Sequence, residues 1–541
     1  MSELSCMIFK STALVLSIAV AGCAGDNDYR DHDSPPVMTA VARCDQLAQS
    51  AFKDTNFKIV SHNSAGKFTA PDGKEFSATP AFCRVAATLK PTADSNIDIE
   101  VWLPSNDWNG RYIGLGNGGF AGSIDYVSLI AGIKRGYAVA HTDMGTARAD
   151  AGGGAISLAG HPEKIIDWGH RSTHLMTLIA KDLVGQYYSK SNYKSYFMGC
   201  STGGGQGIHE AQRYPSDYDG ILVGAPANNR VATHTSLMWS GAAPRVTPEA
   251  GLPFDKILLL HKSVVAACDP SDGVVDGIIS RPELCDFNPN ILQCVGGDDG
   301  ACLSASQTDT VRRLYQGPIN KNTGESIFAG QAKGSELGWL VFTYPIPPSG
   351  QVLYDDLFYW VFGPSFSWRN FDYGGDFVAA QNVLSSNVDA TSPDLASFKN
   401  LGGKIILYQG LADQLIPPGQ VVRYLDAVSK GTGQVSDFMR LFNVPGMTHC
   451  AGGSAPNIFG QNLDISSIPG NPEVDILSAL ERWVESGVAP EKVLASQYTD
   501  NDLSKGNVVR TRPLCVYPKI ARYTGHGDTN SAESFTCENP S

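Results

Sequence analysis

The sequence is poor in charge and lacks the patterns of several common protein classes. Only 18% of its 541 residues are charged, and the net charge of −13 comes without a basic stripe, so nucleic acid is not expected as a partner. No Cys-x-x-Cys pair occurs, which disfavours a zinc–thiolate site. No internal repeat is present, and no segment after the N-terminus is long and apolar enough to cross a membrane. Because 42% of the residues are hydrophobic, the chain can bury a substantial core, and a disordered protein is excluded.

The N-terminus has the pattern of an export signal. Lys10 precedes an apolar run over 11–20 that is too short to span a bilayer, so residues 1–22 are predicted to be a signal peptide. The sequence Val-Ala-Gly-Cys at 20–23 resembles a bacterial lipobox with Cys23 as the lipidated residue; ordinary cleavage after 19–21 is the alternative. No Asn-x-Ser/Thr glycosylation site with a residue other than proline at x occurs, which agrees with a bacterial source. We therefore expect a periplasmic, extracellular or lipid-anchored outer-membrane protein.

Strand-like and helix-like segments alternate in two parts of the chain. Short apolar segments at 97–103, 111–115, 137–141, 195–199 and 220–224 read as strands, with helical periodicity at 170–187 and 205–213. Strand patterns resume at 404–410 and 438–444, and an amphipathic helix is predicted at 475–486. The residues between are rich in Gly, Pro and aromatic side chains. This order predicts a parallel, doubly wound α/β sheet from residues 23–227 and 400–541, with an inserted domain at 228–399.

A candidate nucleophile lies between a predicted strand and a predicted helix. Gly199-Cys200-Ser201-Thr202-Gly203 matches the G-x-S-x-G pattern, which places a serine on a sharp turn at the top of a sheet. The glycines are needed because the strand and helix backbones approach closely at that turn. The bare pattern recurs by chance in a glycine-rich chain, so the strand–turn–helix context is what favours Ser201 as a nucleophile.

The serine needs a base, and two downstream residues follow in the order that an α/β-hydrolase uses. Asp413 lies in the turn after strand 404–410, and His449 lies in the loop after strand 438–444. Both positions follow strand C-termini, where catalytic groups gather in open α/β sheets. His449 is predicted to accept the Ser201 proton, and Asp413 to orient its imidazole. The alternative is a turn-forming aspartate and a surface histidine.

Two other histidines have the spacing of a metal site. His170 and His174 are four apart on a predicted helix, but no carboxylate in that stretch completes a ligand set, so surface or packing roles are favoured.

The cysteines favour disulfide bonds. Setting aside Cys6 and Cys23 leaves ten of the twelve, an even number in an exported chain. Cys200 directly precedes Ser201, and Cys450 directly follows His449. If the triad assembles, these two cysteines must lie close together, and a bond between them would hold nucleophile and base in place.

Together these residues resemble a known family. Gly-Cys-Ser-Thr-Gly-Gly at 199–204, Asp413 and His449-Cys450 look like the tannase and feruloyl esterase family, which includes the enzyme hydrolysing mono(2-hydroxyethyl) terephthalate. The match runs from about Cys44 to Cys537, with Trp-Asn-Gly-Arg at 108–111 and Arg-Pro-Leu-Cys-Val-Tyr-Pro at 512–518. The resemblance implies an α/β-hydrolase core whose lid is inserted before the strand that carries the acid. It also implies an oxyanion hole from the backbone N–H groups of Gly119 and Thr202, and five disulfides: Cys44–Cys83, Cys200–Cys450, Cys268–Cys285, Cys294–Cys302 and Cys515–Cys537.

An acidic segment in the inserted region is a candidate calcium site. Three carboxylates, with two backbone carbonyls, offer the oxygen ligands that Ca²⁺ prefers: Asp269, Asp272 and Asp276, with Val274 and Ile278. The spacing is not that of an EF-hand, and the residues alone favour an acidic, glycine-rich turn. The family has a calcium site at this spacing, so the resemblance implies structural Ca²⁺ in the lid.

The sequence thus predicts an exported serine carboxylesterase. Its substrates would be phenolic acid esters, such as feruloyl and other hydroxycinnamoyl esters of plant cell-wall polysaccharides, hydrolysed through an acyl-enzyme. Tannase activity on galloyl esters and hydrolysis of terephthalate monoesters are the nearest alternatives. The aromatic stretch over 344–376 suits stacking on a planar ring, or ordinary lid packing. A non-catalytic, calcium-stabilised glycan-binding lipoprotein is the alternative of another class, but it would have no use for a triad.

Overall fold

The core of the structure is a mixed β-sheet of nine strands. The computed structural model describes residues 38–146, 155–297, 300–343, 352 and 354–540. The predicted signal peptide, Cys23 and residues 344–351 of the aromatic stretch lie outside the described residues. The strands are β1 Thr55–Asn63, β2 Gly66–Thr69, β3 Glu75–Thr79, β4 Phe82–Leu89, β5 Ile97–Pro104, β6 Arg111–Leu115, β7 Ala138–Thr142, β8 Lys194–Cys200, β9 Gly220–Gly224, β10 Lys404–Gly410, β11 Met439–Val444, β12 Lys492–Tyr498, β13 Val508–Cys515, β14 Ile520–Tyr523 and β15 Phe535–Glu538.

Helices cover both faces of this sheet. They are α1 Ala40–Leu47, α2 Tyr126–Lys134, α3 Pro162–Ile166, α4 Ser172–Tyr188, α5 Thr202–Arg213, α6 Arg230–Ala242, α7 Phe254–Cys268, α8 Ala305–Gln316, α9 Leu340–Thr343, α10 Asp356–Phe362, α11 Gly375–Val388, α12 Ala396–Asn400, α13 Pro418–Thr432 and α14 Ile476–Ser486. Helices α4, α5 and α13 pack on one face, and α2 and α14 pack on the other. Among the described residues, no helix combines the length and apolarity needed to span a bilayer.

The strand order is β1-β4-β5-β7-β6-β8-β9-β10-β11, and it determines where loops can meet. The five pairs from β7–β6 to β10–β11 are parallel, whereas β1, β4, β5 and β7 pair antiparallel. Strands β6, β8, β9 and β10 are buried along nearly their whole length because helices cover them on both sides, which explains their continuous apolar character. The mostly parallel sheet with flanking helices confirms the predicted α/β-hydrolase class.

Element boundaries agree with the sequence prediction to within a few residues, with two informative differences. The helix predicted at 205–213 begins at Thr202, because three consecutive glycines that read as a loop continue the helix after Ser201. The helix predicted at 170–187 begins at Ser172, preceded by a π-helical turn at Asp167–Arg171.

A long insertion connects the end of β9 to the start of β10. Its described residues form α-helices and 3₁₀ turns, and none of them belongs to one of the fifteen strands given above. The ends of this insertion meet: Ala390 N–H donates to Asn228 O (2.7 Å), and Asn228 Nδ2 donates to Ala390 O (2.9 Å). Contacts join Ala40–Ser541 into one compact unit, so the boundary between core and lid at 227/228 and 399/400 stays a prediction.

Candidate active site

Ser201 occupies a strained turn between β8 and α5. Its φ of 61° and ψ of −117° lie where side-chain-bearing residues are rarely found. The turn is possible because its flanking residues have no side chain: a Cβ on Gly199 would lie 2.7 Å from the backbone of Gly203. This is the geometry that the G-x-S-x-G pattern predicts, with the serine at the carboxyl end of a central strand.

Asp413 and His449 are hydrogen-bonded to each other at the same edge of the sheet. His449 Nδ1 lies 2.9 Å from Asp413 Oδ2 and 3.0 Å from Oδ1. Asp413 is fully buried, and its Oδ1 also accepts the backbone N–H groups of Leu415 and Ile416, each at 2.8 Å. Gln409 Nε2 lies 3.4 Å from Asp413 Oδ2. The carboxylate is therefore held in one orientation, with the imidazole as its remaining partner.

A disulfide joins the nucleophile turn to the histidine loop. Cys200 and Cys450 are bonded with a Cα–Cα distance of 5.9 Å, although 250 residues separate them in sequence. Ser201 and His449 are each one residue from this bond. No hydrogen bond between them occurs among the contacts of the described residues; catalytic hydrogen bonds are often longer before substrate binds. All five pairs that the resemblance implies are bonded in the structure, the others being Cys44–Cys83, Cys268–Cys285, Cys294–Cys302 and Cys515–Cys537.

The two predicted oxyanion-hole residues are in direct contact. Thr202 Oγ1 donates a 2.5 Å hydrogen bond to Gly119 O. Gly119 adopts a φ of +55°, and among the described residues no acceptor faces its N–H or that of Thr202. Thr202 is the first residue of α5, where N–H groups have no intrahelical acceptor. Two unpaired donors therefore border the turn that carries Ser201.

Two buried amides, which the sequence did not single out, fix the oxyanion loop onto α5. Gln206 Oε1 accepts the Asn117 N–H (2.8 Å), and Gln206 Nε2 donates to Asn117 Oδ1 (3.1 Å) and to Thr173 Oγ1 (2.7 Å). Asn117 O accepts the Gly203 N–H at 2.7 Å. These bonds hold the loop within reach of the nucleophile. No single-sequence signal marks them, since both residues occur in ordinary loop and helix contexts.

Aromatic side chains from the insertion reach the oxyanion loop. The ring of Phe120, which follows Gly119, lies 6.0 Å from the Tyr354 ring and 5.8 Å from the Trp360 ring. Trp168 Nε1 donates to Phe120 O (3.2 Å), with the rings 5.6 Å apart. Part of the predicted aromatic stretch therefore borders the site. Farther along it, Phe358, Phe366 and Phe371 pack mainly on one another.

The predicted calcium residues lie on one short loop, closed by the Cys268–Cys285 bond. The two Asp269 carboxylate oxygens accept the N–H groups of Asp276 (3.3 Å) and Gly277 (2.9 Å). Val274 and Ile278 are buried, and their carbonyl oxygens accept no hydrogen bond from the described residues. Buried carbonyls are normally paired, so two free ones beside carboxylates fit an oxygen-seeking cation.

One feature of the loop competes with a metal. Asp276 Oδ2 is paired with Arg512 Nη2 at 2.5 Å. The carboxylate oxygens of Asp269, Asp272 and Asp276 are not all within 4.8 Å of one another, unlike those of another group described next. The donor chemistry fits Ca²⁺, while Asp276 is turned towards the guanidinium.

His174 belongs to a buried polar cluster that the sequence did not indicate. Its Nδ1 lies 2.6 Å from Asp217 Oδ2, and Glu210, only 1% exposed, lies beside them. As expected, the stretch that carries the histidines supplies no carboxylate to this cluster: the acids come from α5 and from the turn before β9. Burial and the neighbouring Asp217 charge raise the pKa of Glu210 well above its usual range. His174 and Asp217 already pair directly, which ties α4 to the sheet.

Comparisons with known proteins agree with this geometry. A model of the family described as "Tannase and feruloyl esterase" matches residues 83–345 and 368–538. An esterase of Xanthomonas campestris pv. campestris is 36% identical over 92% of each chain. A protein named "Probable feruloyl esterase B-2" from Aspergillus flavus is 33% identical over 80% of this chain and 83% of its own. The crystal structure of feruloyl esterase B from Aspergillus oryzae superposes with a TM-score of 0.84 at 27% identity, covering 92% of this chain and all of that one.

The sequence match, the shared fold and the arrangement of Ser201, Asp413 and His449 therefore lead to one conclusion. The chain is a carboxylic ester hydrolase with the α/β-hydrolase fold, and it belongs to the tannase and feruloyl esterase family.

Proposed function

We propose that this protein is an exported serine esterase that releases phenolic acids from their esters through an acyl-enzyme. The observation that carries the proposal is the strained Ser201 turn, covalently joined through Cys200–Cys450 to the loop of an Asp413-paired histidine. Two unpaired backbone N–H groups border the same turn. A nucleophile, a base, its orienting acid and oxyanion donors are the parts that acyl transfer requires.

The reaction follows from these positions. Ser201 Oγ attacks the ester carbonyl carbon while His449 Nε2 takes the hydroxyl proton, and Asp413 stabilises the imidazolium through Nδ1–H. The carbonyl oxygen becomes an oxyanion that accepts the N–H groups of Gly119 and Thr202. The C–O bond to the alcohol breaks and His449 returns the proton to the alcohol oxygen, leaving an acyl-Ser201 ester. Water, deprotonated by His449, then attacks the acyl carbon; the bond from that carbon to Ser201 Oγ breaks, His449 returns the proton to Ser201 Oγ, and the acid is released.

The substrate class rests on the aromatic border of the site. Phe120, Tyr354 and Trp360 offer faces and edges for a planar acyl group, which suits hydroxycinnamoyl esters such as feruloyl esters of plant cell-wall polysaccharides. Galloyl esters and terephthalate monoesters have the same planar acyl chemistry and are the alternatives. In this proposal residues 228–399 act as a lid, residues 1–22 direct export, and Cys23 is a candidate lipid anchor.

We further propose that Asp269, Asp272 and Asp276, with the carbonyls of Val274 and Ile278, hold a structural Ca²⁺. The ion would neutralise the acidic loop and fix its turn within the insertion. It takes no part in the ester chemistry, which the triad residues carry out.

Comparing Ser201→Ala with the wild-type enzyme on methyl ferulate, caffeate, sinapate and gallate tests the function. We expect wild type to favour one of the hydroxycinnamates, and Ser201→Ala to retain less than about a thousandth of its kcat, since losing the nucleophile leaves only the oxyanion hole and binding. Its melting temperature should match wild type because the hydroxyl makes no hydrogen bond within the described residues. Residual turnover well above that level would exclude Ser201 as nucleophile, and a preference for gallate would favour the tannase alternative.

A further inference from the structure

Arg230, the first residue of α6, is a buried cation that stacks on a tryptophan but whose guanidinium forms no hydrogen bond with the described residues. It is 7% exposed, and its Cζ lies 4.7 Å from the centroid of the Trp168 ring. Among the described residues, its guanidinium has no hydrogen-bond acceptor within 3.5 Å and no carboxylate oxygen within 4.0 Å. Arginine is rarely buried unless it is paired, because removing the charge from water is costly. The guanidinium of Arg230 is therefore left available to a hydrogen-bond acceptor from a bound ligand.

The neighbours of Arg230 do not supply that acceptor. The charge of Asp389 acts on Arg230 electrostatically, but the Asp389 Oδ1 accepts the Val231 N–H at 3.2 Å and no hydrogen bond from the guanidinium occurs among the described residues. Burial lowers the pKa of His209 and of His234 to about 3, so both rings are neutral at ordinary pH. Burial also lowers the pKa of Arg230, to about 10, which leaves the guanidinium charged at pH 7.

Arg230 lies on the same wall as the reacting groups. Three residues before it, the Ala227 N–H donates to Ser201 O at 3.0 Å. The Trp168 ring under its guanidinium packs on Phe120, the residue after Gly119. Tyr354, whose hydroxyl lies 4.0 Å from where a Cβ of Gly119 would be, interacts electrostatically with Arg230. An acyl ring placed along Phe120, with its ester at Gly119, would direct its far substituent towards this cation.

We propose that Arg230 determines acyl specificity by binding an oxygen on the ring of the acyl group, opposite the ester. The guanidinium would donate to a phenolic oxygen, and more strongly to a carboxylate, whose charge complements its own. Acyl groups without that oxygen would leave the cation unpaired. This inference rests on the proposed esterase function, and it names the ring oxygen opposite the ester as the substrate feature that the site recognises.

A matched ester series tests the assignment. Methyl cinnamate, methyl 4-hydroxycinnamate and methyl 4-carboxycinnamate differ only in the ring substituent. For wild type we expect kcat/KM to rise in that order, by roughly tenfold or more from the first to the last, because hydrogen bonds to charged groups are among the stronger ones. Arg230→Met should erase the preference, mainly through KM, while its rate on methyl cinnamate stays near wild type. Arg369→Met is the matched control, since Arg369 also stacks on a tryptophan (4.3 Å to Trp368) but is exposed, and it should keep the wild-type order.

The outcomes separate this inference from the proposed function. If wild type hydrolyses all three esters at equal kcat/KM, or if Arg230→Met slows all three equally, the esterase stands and Arg230 is not the determinant. If wild type hydrolyses none, the proposed function fails first. Should Arg230→Met not fold, competitive inhibition of wild type by cinnamate and by 4-carboxycinnamate gives a second measurement. We expect at least about tenfold tighter inhibition by the dianion, and equal inhibition constants would overturn the assignment.

Discussion

The candidate catalytic edge of the sheet, which carries Ser201, Asp413 and His449, and the acidic loop at 269–278 are both closed by disulfides, but their carboxylates have different partners. Asp413 accepts N–H groups of the turn that follows it, and its remaining partner is the imidazole of His449, from the loop after another strand. The acidic loop orients its carboxylates with N–H groups from its own few residues, next to Arg512. The edge thus pairs its carboxylate with an imidazole, whereas the loop sets three carboxylates beside the guanidinium groups of Arg510 and Arg512.

Breaking Cys200–Cys450 should have the largest effect and tests whether the core alone holds the edge. If the bond positions the triad, replacing both cysteines with Ala should lower kcat by up to about 100-fold, the cost of roughly 1 Å of misplacement. Loop entropy assigns the bond, which closes 250 residues, about 5.5 kcal/mol of unfolding free energy, so kcat must be measured on folded protein well below its melting temperature.

The matched control is the double Ala variant of Cys44–Cys83. That bond joins α1 to β4, far from β8 in the sheet order, and closes 39 residues, worth about 4 kcal/mol by the same relation. We expect it to lose stability but keep kcat. If the folded Cys200/Cys450 variant also keeps wild-type kcat, the sheet positions the triad unaided.

Removing calcium tests the acidic loop at 269–278. Chelation should lower the melting temperature and leave kcat at mild temperature nearly unchanged, because the loop belongs to the insertion. At free calcium of 100 times its Kd, the bound ion stabilises the fold by about 2.7 kcal/mol. Asp269→Asn should be destabilised and insensitive to chelator, while Asp309→Asn, on the exposed face of α8, should respond like wild type. Metal analysis without calcium, together with an unchanged melting temperature in EDTA, would refute the site.

Asp143 directly follows β7 and shows how the core accommodates a buried acid. Burial raises its pKa to about 7, so the folded protein binds a proton that the unfolded chain releases above about pH 4. The free energy of unfolding should therefore fall as pH rises from 4 to 7, by up to about 1.4 kcal/mol per pH unit from this group. Asp143→Asn should make that slope shallower in urea titrations, and Asp426→Asn at the surface should not. Burial raises the pKa of other carboxyls as well, so the substitution should reduce the dependence of unfolding free energy on pH without abolishing it. An unchanged slope would show that Asp143 is ionised in the folded protein.

Local patterns predicted the elements around Ser201, Asp413 and His449, and contacts between distant segments explain what those patterns missed. Ser201 could be located because a strand, a glycine-flanked serine and a helix are consecutive in sequence. Strand β1 could not be predicted from its sequence, because it is an antiparallel edge strand that is partly buried and has mixed polar residues. The Asn117–Gln206 contact and the acids around His174 join segments that only the fold brings together. Arg230 gives no signal in sequence, because what marks it is a buried guanidinium without a hydrogen-bond acceptor in the part of the chain that the structure describes.

The two hydrogen bonds between Asn228 and Ala390, which join the ends of the insertion, have a consequence for how such enzymes can evolve. Strands β9 and β10 are parallel, so the chain leaves β9 at Gly224 and must cross back to begin β10 at Lys404, but the hydrogen bonds between Asn228 and Ala390 bring the two ends of the insertion together before that crossing. Exchange of genetic material across these two points can lengthen, shorten or replace the insertion without moving the ends of the neighbouring strands. Selection can therefore change the insertion while the strands that carry Ser201, Asp413 and His449 keep their places.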